Sequence, residues 1–244
     1  MKTRILLAFA FSFFIKSGFS QTPQEHILKA NLKHENKDFS GAISDLTRAI
    51  ELDSLNKYAY VYRGDSKTEI DDLEGAIADY SKAIEIDNRY AIAYYYRANL
   101  KARQQKYNEA LNDYNDLIKI VPLFAVAYNN RGKTKVGLKD YSGAISDFNK
   151  AIEIDHKFAI AYVNRGNVRI DIHDIPNAIM DFNQAIIIDP NLAEAYYSRG
   201  FSKILLGQRQ NGCFDLNKAK ELGKAETHFL IKEFCKENAP PRRR

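Results

Sequence analysis

The residues of this chain with the most chemistry to offer are five histidines, two cysteines and a recurring set of arginines and aspartates. A metal centre or an acid–base pair needs several such groups held together. Here His26, His34, His156, His173 and His228 are spread along the chain, and no HExxH, GxSxG or glycine-rich phosphate loop occurs. Asp171, His173 and Asp174 could touch a metal ion, but they fall where a polar turn is expected and are read as turn residues. Cys213 and Cys235 lack the CxxC spacing of a zinc or redox site. No catalytic residue, metal or cofactor is expected, and the chain reads as non-catalytic.

Self-comparison reveals the elements that must position these residues. FSGAISDLTRAIELD, LEGAIADYSKAIEID, YNEALNDYNDLIKIV, YSGAISDFNKAIEID and IPNAIMDFNQAIIID begin at residues 39, 73, 107, 141 and 175, each 34 after the last. Between them recur AYVYRGDSK, AYYYRANLK, AYNNRGKTK, AYVNRGNVR and AYYSRGFSK. A fixed period in this range marks a solenoid, because each unit can bury its apolar face only against its neighbours. The spacing of Ala76, Ile77, Tyr80, Ala83 and Ile84 is a helical stripe, so each unit reads as two helices. Tiny residues form columns at Gly64, Ala98, Gly132, Gly166 and Gly200, with bulky Tyr80, Tyr114, Phe148 and Phe182 to fill the space beside them.

This pattern resembles the tetratricopeptide repeat family over nearly the whole chain after residue 20, with Tyr60-x2-Arg63-Gly64-x2-Lys67 and Ala76-x3-Tyr80 standing for that family's motif. The resemblance implies an all-α fold: a right-handed superhelix of about six helical hairpins with a concave groove, usually a protein-interaction scaffold. The units are read as about 23–56, 57–90, 91–124, 125–158, 159–192 and 193–224, closed by a capping helix over 225–237. Two departures stand out. Arginine replaces the family's leucine at Arg63, Arg97, Arg131, Arg165 and Arg199, with Lys29 in the first unit. Aspartate recurs on the second helix at Asp45, Asp79, Asp113, Asp147, Asp181 and Asp215. In an antiparallel hairpin Arg63 and Asp79 lie level about residue 71, so an Arg–Asp ion pair is expected inside each hairpin. A ligand-binding arginine column is the alternative.

In this family the first helix of each unit lines the groove. Those positions hold Tyr58, Tyr62, Tyr95 and Tyr96, then Asn129, Asn130, Asn164 and Asn167. Tyrosine offers amphipathic area at low rotamer cost, and asparagine can pair with a peptide backbone without reading its sequence. With only Arg103 and Lys133 offering charge, capture of a chain-terminal carboxylate is not expected. The groove is read as holding a peptide or protein segment; alternatively, the protein is an accessory or chaperone-like subunit of an envelope complex, bound through the convex face or end caps.

The ends carry separate signals. Lys2 and Arg4, the apolar run Ile5–Ile15 and Gly18-Phe19-Ser20 read as a signal peptide over residues 1–20, with an uncleaved membrane anchor as the alternative. A periplasmic or secreted protein is expected, with a bacterial envelope favoured because no Asn-x-Ser/Thr site occurs. In that compartment a Cys213–Cys235 disulfide would staple the last unit to the cap, since the two cysteines lie level about Gly223-Lys224; two reduced packing thiols are the other reading. Residues 238–244 read as a disordered tail in which Arg242, Arg243 and Arg244 could touch an anionic surface. Setting aside Lys2, Arg4, Lys16 and those three arginines leaves 30 cations against 31 anions, too balanced a body for nucleic acid.

Overall fold

The turns of this chain recur at the same period as its helices, and they explain why the helices stop where they do. The computed structural model describes residues 21–235. The expected leader over residues 1–20 and the arginine tail lie outside them. The described residues form thirteen helices and no strand. They fall into two compact units, one up to Ala93 and one from Tyr94 onward.

The first unit contains α1 (Pro23–Glu35), α2 (Phe39–Leu52), α3 (Lys57–Glu69) and α4 (Leu73–Ile86). Helix α5 (Ala91–Arg103) runs across the boundary. The second unit continues with α6 (Tyr107–Ile120), α7 (Ala125–Gly137), α8 (Tyr141–Ile154), α9 (Ala159–Asp171), α10 (Ile175–Ile188), α11 (Ala193–Leu205), α12 (Arg209–Glu221) and α13 (Thr227–Phe234). Within each unit, neighbouring helices pack as hairpins.

Within a hairpin the first helix ends on a residue with positive φ, namely Lys37, Asp71, Gln105, Lys139, His173 or Gly207. In the second hairpin the amide of Asp72 reaches back to the carbonyl of Lys67 at 2.9 Å, so the left-handed residue closes the orphan carbonyls. Asp72 then caps the next helix by accepting from the amide of Gly75, and Asp38 and Asp140 do the same. His173 thus occupies a turn position. Between hairpins Asp53, Asp87, Asp155 and Asp189 accept from the amide two residues on, a local turn that redirects the chain.

Each unit has a core of one bulky residue per hairpin, Leu46 and Tyr80 in the first and Tyr114, Phe148, Phe182 and Leu216 in the second, each at most 1% exposed. Facing it are the tiny residues. A Cβ added to Gly132 would lie 2.7 Å from the Phe148 ring, and one on Gly64 would lie 2.7 Å from the Tyr80 ring. Close packing of this kind leaves no room for a methyl group.

Candidate functional site

An arginine of the first helix grips an aspartate of the second in five hairpins. Arg131 donates from Nε to Asp147 Oδ2 at 2.9 Å and from Nη2 to Oδ1 at 2.6 Å. The same fork joins Arg63 to Asp79, Arg97 to Asp113 and Arg199 to Asp215, and Arg165 holds Asp181 through the same two nitrogens. All five aspartates are buried. A second cation, one helical turn after the arginine, completes each carboxylate: Lys67, Lys101, Lys135, Arg169 and Lys203 lie 2.7–3.0 Å away. These partners end the repeated AYxxRGxxK segments, so the signal was present in the spacing although the pairing scheme used the arginine alone.

The rest of each arginine is also occupied. Nη1 reaches the preceding hairpin, from Arg63 to Thr47, Arg131 to Asn115, Arg165 to Asn149 and Arg199 to Asn183. The guanidinium stands 5.4–5.7 Å from the ring of Tyr60, Tyr94, Tyr128, Tyr162 or Tyr196. Groups so fully engaged hold register within and between hairpins. The first hairpin departs from this scheme. Asp45 is met by His26 Nδ1 at 3.2 Å and Lys33 Nζ at 2.6 Å, while Lys29, in the arginine column, is not its partner. A lysine ammonium cannot reproduce the planar fork, and buried His26 takes that place.

The first-helix face of the second unit carries a chain of amides. Asn164 Nδ2 donates to Asn129 Oδ1 at 2.8 Å, Asn129 Nδ2 to Asn130 Oδ1 at 3.2 Å, and Asn130 Nδ2 to Asn99 Oδ1 at 3.1 Å. Tyr114 ends it, donating its hydroxyl to Asn99 Oδ1 at 2.5 Å; burial pushes that phenol well above its usual range. Asn129 is therefore corrected from an open groove residue to a buried link, 4% exposed, because its amide is consumed between α7 and α9. Asn130 and Asn164 stay half-buried, each with one amide hydrogen spent in the chain, and Asn167 is half-buried on α9.

The tyrosines divide between the units. In the first, Tyr58 is 50% exposed, edge-on to Tyr90 at 5.6 Å with Lys57 beside both rings. Tyr62 lines a pocket of about 260 Å³ with Ala30, Asn31, His34, Glu35, Leu46, Asp65 and Ser66. In the second, Tyr95 packs on Tyr96 at 5.5 Å and on Phe124 at 5.7 Å. A separate pocket of about 350 Å³ there is walled by Asn99, Arg103, Tyr107, Tyr114, Asn130, Lys133 and Thr134. Both charges expected in the groove thus border one cavity.

Family models describing a TPR repeat and a tetratricopeptide repeat match residues 64–105 and 125–158, and the hairpin geometry continues the same unit on both sides of them. The chain is a tetratricopeptide repeat protein. No curated protein matches it. Among solved structures it is similar to MamA, at 24% identity and a TM-score of 0.61, over 67% of this chain and 95% of that one. It is also similar to YrrB, described as a TPR protein with an unusual peptide-binding site, at 23% identity and a TM-score of 0.60, over 77% of this chain and 97% of that one. PilF of Pseudomonas aeruginosa aligns at 14% identity with a TM-score of 0.72, over 86% of this chain and 96% of that one. These likenesses establish the fold. Within that fold, the chain departs from the family in its arginine–aspartate–cation clusters.

The closing elements of this tetratricopeptide protein sit together. The structure pairs Cys213 of α12 with Cys235 just after α13, with Cα atoms 5.6 Å apart. Leu230 of α13 packs on Ile204 and Leu216, and Arg209 Nε donates to the carbonyl of Phe234.

Proposed function

We propose that the protein is a non-catalytic, exported scaffold whose first-helix faces hold a polypeptide segment of a partner. The observation that carries this reading is the pair of open pockets on those faces, each lined by aromatic, amide and charged side chains. Such a mix suits a peptide that offers backbone groups and a few side chains. The arginine clusters do not compete for the role, since their donors are already spent on aspartate.

Export rests on the basic and apolar leader over residues 1–20 and is consistent with a stapling disulfide at Cys213 and Cys235 in an oxidising compartment. No helix among the described residues is long and apolar enough to cross a membrane. The test is co-purification of partners from the native envelope. Substituting Tyr95, Asn130 and Asn167 by Ala is expected to abolish capture, while Met180→Ala on the exposed side of α10 leaves it intact. Loss with Met180→Ala alone would move the binding face to the outer helices.

A further inference from the structure

The bulky core residues include two tyrosines and two phenylalanines, and each tyrosine hydroxyl has an acceptor on the first helix of its hairpin. Tyr80 donates its hydroxyl to Asp65 Oδ1 at 2.7 Å, and Tyr114 donates to Asn99. Where the core residues are Phe148 and Phe182, the matching first-helix positions are Lys133 and Asn167. Asn99 demonstrates that a neutral amide satisfies the buried hydroxyl. The negative charge of Asp65 is therefore surplus to the hairpin. It is also costly: burial raises the Asp65 carboxyl above its usual range, and neighbouring Glu69 raises it further, against a smaller opposing effect of the Tyr80 bond and His34.

Among the described residues no lysine or arginine compensates that charge. Lys33 is bound to Asp45, and Arg63 and Lys67 are bound to Asp79. Asp65 instead borders the pocket of about 260 Å³ in the first unit. Its walls bring a second carboxylate at Glu35, an amide at Asn31 and the half-exposed ring of Tyr62, over a floor that includes Ala30 and Leu46. Lys and Arg are absent from that lining. His34, its one basic group, is engaged through Nδ1 with Ser66 Oγ at 3.0 Å. A volume just below the usual range for small-molecule sites fits one long side chain.

We propose that this pocket receives an arginine side chain of the partner polypeptide, its guanidinium meeting the Asp65 carboxylate and its stem lying along Tyr62. Guanidinium suits the place better than ammonium because it is weakly hydrated, stacks on aromatic faces and pairs with carboxylate in a planar fork. The proposal rests on the scaffold reading and supplies the chemistry of one contact.

The test is an amide NMR titration of the full chain with a blocked Ala-Ala-Arg-Ala-Ala peptide and with its citrulline counterpart, which keeps shape and loses charge. The arginine peptide is expected to move the amides of Asn31, His34, Asp65 and Ser66 at millimolar concentration. Binding at least tenfold weaker is expected for the citrulline peptide and for the Asp65→Asn protein, which keeps the Tyr80 bond and so its fold. No response to the arginine peptide, or equal binding by citrulline or by Asp65→Asn, overturns the proposal. The envelope partner separates this from the broader reading. Capture that survives Asp65→Asn but is lost with the Tyr95, Asn130 and Asn167 substitutions defeats the arginine pocket and leaves the scaffold standing.

Discussion

Arg131 and Asp147 meet through two parallel hydrogen bonds across a hairpin, and the third nitrogen of Arg131 is tied to Asn115 on the hairpin before. Arg131→Leu is expected to cost about 3 kcal/mol, near the low end for breaking a buried pair, because Lys135 remains on Asp147. Chemical denaturation measures it. A cost under about 0.5 kcal/mol, that of a surface change, would mean the pair fixes nothing.

The amide chain makes a second prediction. Asn129→Ala removes the acceptor of Asn164 and the donor to Asn130, so a loss of about 1–2 kcal/mol is expected for a buried group with two partners. Alanine at Asn130, Asn164 and Asn167 together should likewise cost about 1–2 kcal/mol, more than three open positions would. Thermal melts of the variants against wild type decide the point. A neutral Asn129→Ala would show that the links carry no stability.

Asp65 predicts a pH dependence. Its folded carboxyl titrates above the ordinary value of 3.8, so the folded state binds the proton more readily than the unfolded state. Its contribution to stability therefore worsens as pH rises from the ordinary value through the raised one and is flat above. Asp65→Asn should accordingly be more stable than wild type at neutral pH. That advantage should shrink as pH falls through the raised value. A constant difference between pH 3 and pH 8 would assign the effect to something other than this charge.

The cap predicts a redox effect. Closing a loop with a sequence separation of 22 between Cys213 and Cys235 is worth about 3 kcal/mol on chain-entropy grounds. Cys213→Ser with Cys235→Ser should expose the α13 amides to hydrogen exchange well before those of α9. Intact mass with and without reductant reports whether the bond forms in the native protein. Unchanged α13 protection in the double variant would show that Leu230 packing alone holds the cap.

The hairpins were legible because burial imposes a strict period on a solenoid: a Tyr80, Phe148 or Leu216 must recur wherever two hairpins meet. Arg63 and Asp79 were legible as a level pair because their spacing is symmetric about a turn. Their completion by Lys67 was harder to read, since a lysine at the end of a helix is ordinarily solvated. The place of Asn129 is hidden in the sequence for a related reason. Its type suits a wet groove, and only the distance to Asn164 on the next hairpin reveals that it bonds inward. The same limit hid Asp65, whose significance depends on comparing Tyr80 with Tyr114 and on finding, among the described residues, no lysine or arginine paired with it.

The central claim, that a polypeptide is held on the first-helix faces, is tested most directly by site-specific photo-crosslinking in the native envelope. A photoreactive residue is placed at Tyr62 or Lys133 on the pocket rims, and at Met180 or Ile187, both exposed on α10. The account predicts one shared partner crosslinked from Tyr62 and Lys133, mapping to a short peptide segment, and none from Met180 or Ile187. Crosslinks confined to Met180 and Ile187 would contradict it and place the interface on the outer helices.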